Sequence, residues 1–189
     1  MLIVLGGTRK VDKIPQEVSA LVTSFAQQGH RFLVGDAPGI DTGFQKLLIK
    51  LMVKDVIVCS SADSIRNNLG NWSEKHIDSG LKSNSHAKHS AKDRYMTNEA
   101  DLGIMVWDTL SAGTLANVLD LISLGKECYL FNLMDSDLTK FDSDKSLNKF
   151  LDSHQKIANE SQKRLATYRK RLAKRETGAK NTEPPSLFS

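Results

Sequence analysis

Asp101–Lys126, reading DLGIMVWDTLSAGTLANVLDLISLGK, decides the fold. Leu102 to Trp107 is an apolar run without polar alternation, the pattern of a strand buried on both faces. A polar break follows from Asp108 to Gly113, after which Leu115, Val118, Leu119 and Ile122 recur at helical spacing. Ser111 or Thr114 is placed to cap that helix, and Gly113 lets a ligand approach the backbone. A corner of this kind turns free amides and the positive end of a helix dipole toward a crevice, where the natural occupant is a phosphate. An ordinary strand-to-helix turn reads the same way, so the stretch needs partners elsewhere in the chain.

Working outward, Leu2 to Leu5 is a first strand closed by Gly6-Gly7-Thr8-Arg9. Pro15 fits the first turn of a helix that runs to about Gln28 and stops at Gly29. Phe32 to Val34 makes a second strand, followed by Gly35-Asp36-Ala37-Pro38-Gly39-Ile40-Asp41 and a helix over Thr42–Met52. Asp55 to Cys59 is a third strand, Asp93 to Ala100 a short helix, and Glu127 to Asn132 a last strand. Residues 60–92 are polar, with Trp72 as their large apolar anchor, and read as an insertion. Strands alternating with helices predict an α/β fold: a Rossmann-like, doubly wound, mainly parallel five-stranded sheet. The expected organisation is a body over residues 1–140, a basic helical extension over 141–177 and a disordered tail over 178–189.

A chain of 189 residues, 40% hydrophobic and 25% charged, suits one globular body with a substantial core. No apolar run approaches the roughly 20 residues that cross a bilayer, so no membrane partner is expected and the default location is cytoplasmic. Cys59 and Cys128 sit in apolar runs without metal or redox spacing and read as buried free thiols. The net charge of +4 is uneven: residues 141–189 carry +5 and the rest of the chain −1. Phe150, Ile157, Leu165, Tyr168 and Leu172 form a thin apolar stripe, and Lys163–Arg175 holds seven basic residues and no acidic one. Nucleic acid, an acidic partner or plain solvation all fit that run.

In a doubly wound sheet, ligands sit outside the carboxyl ends of the strands. Three loops leave strands at that edge: Gly6–Arg9, Gly35–Asp41 and Asp108–Gly113. Their convergence points to a nucleotide-like small molecule. Gly113 and Thr114 would hold a phosphate, Gly6, Gly7 and Thr8 would let it pass close, and Arg9 either pairs with it or lies on the surface. Asp41 either accepts from a ribose hydroxyl or caps the helix that follows. Asp101 and Asp108 stand at opposite ends of one strand, about 20 Å apart, and cannot work as a pair. If an N-glycosidic bond is cut, Asp108 or Asp41 is the available base. His86 and His89 could share a helix face, but no third ligand is evident, so neither a metal nor a cofactor is expected.

Together these loops resemble the SLOG superfamily, which unites the DNA-processing proteins of natural transformation with the cytokinin-activating phosphoribohydrolases. Gly35–Asp41 looks like the second-strand loop of its small bacterial and phage branch. Leu110-Ser111-Ala112-Gly113-Thr114 looks like its phosphate loop. Asp93-Arg94-Tyr95-Met96 ahead of Ala100-Asp101 is similar to its Arg-x-x-Met approach to the fourth strand. The resemblance covers about residues 2–132 and implies a Rossmann-like fold with a nucleotide or nucleotide-derived ligand. It adds Gly35, Asp36, Ala37, Gly39, Ser111 and Asn117 to the candidate ligand-binding residues, and Arg94 as a second positive charge. Relatives commonly dimerise, which implies a homodimer or higher homo-oligomer. The phosphoribohydrolases, however, carry a catalytic Glu where this chain has Asn117, and an amide is no general acid or base at neutral pH. Three readings result: a protein that senses, sequesters or processes a nucleotide or ADP-ribose-like molecule; a hydrolase or transferase at the N-glycosidic bond of nucleoside monophosphates; and a single-stranded nucleic-acid module using Lys163–Arg175.

Overall fold

The computed structural model describes residues 1–62, 64–78 and 86–153, together with Asn159, Lys163 and Ala166. The side chains of His86 and His89, most of Lys163–Arg175 and the tail 178–189 lie outside the described residues. The chain runs β1 (Leu2–Gly7), α1 (Gln16–Gln27), β2 (Arg31–Gly35), α2 (Ile40–Lys50), β3 (Val56–Ser60) and β4 (Ser73–His76). It continues through α3 (His86–Glu99), β5 (Leu102–Trp107), α4 (Ala112–Ser123), β6 (Glu127–Asn132), β7 (Asp137–Phe141) and α5 (Asp144–Ser153).

The strands form one sheet in the order β4-β3-β2-β1-β5-β6-β7. Every pairing is parallel except β6 with β7. Among the described residues the sheet therefore has seven strands, not the expected five. β4, reading SEKH, is exposed at all four positions and pairs along one side of β3, within the stretch read as a polar insertion. An edge strand bathed in water needs no apolar alternation, which is why its pattern is silent. β7 turns back antiparallel on β6, and a body boundary at residue 140 falls inside it.

Successive residues of a strand point to opposite faces, and the core divides accordingly. Val4, Met105 and Trp107 pack on one face with Leu115, Val118 and Leu121 of α4 and Met96 of α3. Ile3, Leu5, Ile104 and Val106 pack on the other with Val18 and Val22 of α1 and Phe44 and Leu48 of α2. β5 is buried at all six positions, as its unbroken apolar run requires. α5 joins the first layer: Leu147 is buried, and Phe150 meets Phe141 edge to face with ring centroids 5.3 Å apart. α5 is thus docked on the sheet.

Cys59 and Cys128 are free and buried, and burial pushes the Cys59 thiol up to about 12. No helix among the described residues is long and apolar enough to cross a membrane. The feature that positions a site is topological. The chain winds outward from β1 through β2 and β3, then returns to place β5 on the other side of β1. The carboxyl ends of β1 and β5 lie side by side, with Gly7 level with Val106, and the crevice of a doubly wound sheet opens at that reversal.

Candidate functional site

The loops after β1 and β5 are fastened together at their roots. Thr8 donates its amide to the Val106 carbonyl at 3.0 Å, and its hydroxyl to Asp108 Oδ2 at 3.0 Å. Asp108 Oδ1 accepts from the Leu110 and Ser111 amides at 3.1 and 2.7 Å, and Lys10 Nζ lies 3.3 Å from Oδ2. Burial raises this carboxyl, but the Ser111 and Leu110 amides, the Thr8 hydroxyl and Lys10 outweigh it and hold it below the usual range. Within that Asx-type turn Thr109 takes φ 62°, a left-handed conformation that a β-branched residue rarely adopts. A proton acceptor whose lone pairs already hold a loop in shape is a poor general base. Asp108 is the tie of the corner.

The turn ends in the N-terminus of α4. Ser111 caps it, its hydroxyl accepting from the Thr114 amide at 3.3 Å and the Thr114 hydroxyl at 2.9 Å. Trp107, buried beneath, donates its indole N–H to the Ser111 carbonyl at 3.0 Å and so anchors the cap to the core. At Gly113 an added Cβ would meet nothing within 4 Å. The space over the first turn is open, as an approaching anion requires.

The loop after β2 makes the second wall. Ile40 donates its amide to the Thr8 carbonyl at 3.0 Å, which joins this loop to the first. Gly39 takes φ +86°, and a Cβ there would strike the Arg9 backbone, so only glycine fits this close crossing. Asp41, in the first turn of α2, accepts from the Ala37 amide at 3.3 Å. Lys92 of α3, itself 3% exposed, places Nζ 3.5 Å from Asp41 Oδ2 and 3.6 Å from Asp93 Oδ1. Burial drives the Asp41 carboxyl up, against the pull of Lys92. Burial also opposes the charge on Lys92, yet Asp41 and Asp93 prevail and hold its ammonium above the ordinary lysine value.

These walls enclose a cavity of about 630 Å³. Gly6, Gly7, Thr8 and Arg9 line it, as do Gly35, Ala37 and Asp41 of the second loop. From the third loop come Asp108, Ser111, Gly113 and Thr114, with Asn117 one turn along α4. Two of the glycines are required by the protein's own packing. A Cβ at Gly7 would collide with the Val106 carbonyl and Ile40, and one at Gly35 with the Asp41 carboxylate and the Lys92 amine. Gly7 allows the strand to pack, and Gly35 makes room for the ion pair.

Three expected residues are not among the cavity's lining. Asp36 is fully buried away from it, paired with Arg66 and accepting from the Ser60 hydroxyl at 2.7 Å. Gly39 supports the loop crossing instead. Arg94 is exposed, and the cation that α3 turns into the cavity is Lys92, two residues earlier. Lys10, Asp93 and Met96, none of them an expected ligand-binding residue, also line the cavity. So does Lys163, from beyond α5. Among the described residues no cluster of three or more potential metal ligands occurs.

No protein-family model and no curated protein sequence matches the chain. Among solved structures it resembles DNA processing protein A from Helicobacter pylori, over 89% of this chain and 81% of that one, with a TM-score of 0.54. The fold is that of DNA processing protein A. At 18% identity the likeness is one of fold alone. The DNA processing protein A structure was described for its unique single-stranded DNA binding mode.

Proposed function

We propose that the crevice binds a nucleotide-like small molecule through its phosphate, and that the protein senses, sequesters or processes that molecule. One observation carries the reading: an open, Ser-capped helix N-terminus at Ser111–Thr114 shares a single cavity with Arg9, Lys10 and Lys92. Amide donors fix a phosphate's position, and the cations offset its charge. A volume of about 630 Å³ falls within the range of small-molecule sites.

Holding the ligand fits the side chains better than cutting it. Asp108 is consumed by its four donors, and Asn117 offers hydrogen bonds but no proton transfer at neutral pH. If an N-glycosidic bond is broken, Asp41 is the better candidate, because its raised pKa brings it closer to neutrality. The test is thermal denaturation with nucleoside monophosphates, cyclic nucleotides and ADP-ribose, followed by chromatography for free base. A ligand specific to the native state raises Tm, and Gly113→Asp is expected to remove that rise while the protein stays folded. A rise that survives Gly113→Asp would show that no anion sits at this corner.

A second reading, single-stranded DNA binding, is favoured by the likeness to DNA processing protein A and by the seven basic residues of Lys163–Arg175. Binding of oligo(dT) should then weaken steeply with salt. Deleting residues 155–189 should abolish it, and DNA binding unchanged by the deletion would rule out the basic run as the contact. The expected homo-oligomer is tested separately by light scattering at several protein concentrations.

A further inference from the structure

We propose that Asp41, Lys92 and Asp93 form a sugar subsite in the crevice, which reads the vicinal hydroxyls of a ribose whose 5′-phosphate sits at the Ser111–Thr114 corner. The inference rests on the crevice reading above and deepens it, because it makes the ligand a ribonucleotide.

Among the described residues three carboxylates line the cavity, and they differ in what they have left to offer. Asp108 spends both oxygens on the Leu110 and Ser111 amides, the Thr8 hydroxyl and Lys10. Asp41 does not cap α2, whose N-cap is Gly39. Its Oδ2 takes the Ala37 amide at 3.3 Å and faces Lys92 at 3.5 Å, while Oδ1 meets no donor among the described residues. Asp93 is held through Oδ1, 3.6 Å from Lys92. Lys92 between them is buried, yet both of these oxygens lie beyond the ordinary hydrogen-bond range of about 2.7–3.2 Å. One strong donor and two half-used acceptors therefore stand together on the cavity wall.

A vicinal diol fits that set, since each hydroxyl donates one proton and accepts through its lone pairs. A phosphate does not, because it would face two carboxylates. The strand order sets the spacing. β2, which leads to Asp41, is two strands from β5, which leads to Ser111, so the two loops start about 10 Å apart. One phosphoribosyl group with a hydrogen bond at each end spans a gap of that scale. The two corners thus fix the direction of the ligand across the crevice.

Titration calorimetry on the full chain tests this, comparing each ribonucleoside 5′-monophosphate with its 2′,3′-dideoxy form and including ADP-ribose as a further probe. The wild type is expected to prefer the ribose form about tenfold or more. In Asp41→Asn the side-chain carbonyl is drawn to Lys92 and the Ala37 amide, so an N–H replaces the acceptor Oδ1. That variant should bring the two affinities within about twofold of each other, by weakening the ribose form. Asp55→Asn, which removes an exposed carboxylate just ahead of β3 at the opposite edge of the sheet, should keep the wild-type ratio. The ratio is taken within each variant, so a loss of folded protein does not mimic its collapse. Equal wild-type affinities for both forms, lost together in Gly113→Asp, overturn the sugar subsite and leave the crevice reading standing. A preference that Asp41→Asn keeps at full size overturns the assignment to this cluster. If the wild type binds none of the probes, both readings fall.

Discussion

Asp36 and Asp41 leave the same loop, five residues apart, and both are buried, yet they are held in opposite ways. Asp36 receives the Arg66 guanidinium on both oxygens, the Arg66 amide at 3.2 Å and the Ser60 hydroxyl at 2.7 Å. Burial pushes its carboxyl up, but Arg66 and Ser60 overcome this and bring it down to about 2. Asp41 has an amide at 3.3 Å and an ammonium at 3.5 Å, and burial wins. A saturated carboxylate is a structural bolt. An under-provided one, lining a cavity, keeps acceptor capacity for something that arrives from outside.

That contrast is open to attack by mutation. The largest effect is expected from Asp36→Ala, which takes the acceptor from the buried Ser60 hydroxyl and the Arg66 amide as well as from the guanidinium, and should cost about 3 kcal/mol in urea denaturation. The same pair sets the acid limb of stability. A carboxyl lowered in the folded state contributes stability present above its unfolded value near 3.8 and lost as pH falls through about 2. Asp36→Asn should flatten the loss of Tm across that window, and an unchanged acid limb would break the assignment.

Lys92→Met comes next, at roughly 2 kcal/mol near pH 8, because it leaves Asp41 buried without its ammonium. A raised carboxyl contributes stability that is fully present below its unfolded value and lost as pH rises through its folded one, so the deficit should shrink as pH falls. Adding Asp41→Asn should recover part of the loss in a double-mutant cycle, and strict additivity would show that the two side chains do not interact. The smallest effect, about 1 kcal/mol, is expected of Asp108→Asn. Its remaining carbonyl can still accept from Leu110 and Ser111, while the new amide loses Thr8 and Lys10. If any glycosidic activity is found, it should survive this change and fail in Asp41→Asn.

The central strands and the corner after β5 are legible in the sequence because burial on two faces writes an unbroken apolar run, and Ser111 writes the cap of the helix that follows. β4 is not: with all four residues exposed, its order comes from the hydrogen bonds of β3 and not from its own side chains. Asp36 and Asp41 look equivalent as letters, since the partner that separates them, Arg66, stands 30 residues along the chain from Asp36. The cation of α3 is misplaced by the motif for a geometric reason. Arg94 precedes Met96 by two positions where the Arg-x-x-Met pattern asks for three. Two residues along a helix are about 200° around it, so the choice between Lys92 and Arg94 is the choice between cavity and solvent.

The two margins of the sheet have a consequence of their own. β4 presents Glu74, Lys75 and His76 to water, and β7 presents Asp137 and Lys140. A strand from a neighbouring molecule laid along either border would have to dehydrate these groups. Charge at the rims thus works as a guard against cross-molecule fibre growth.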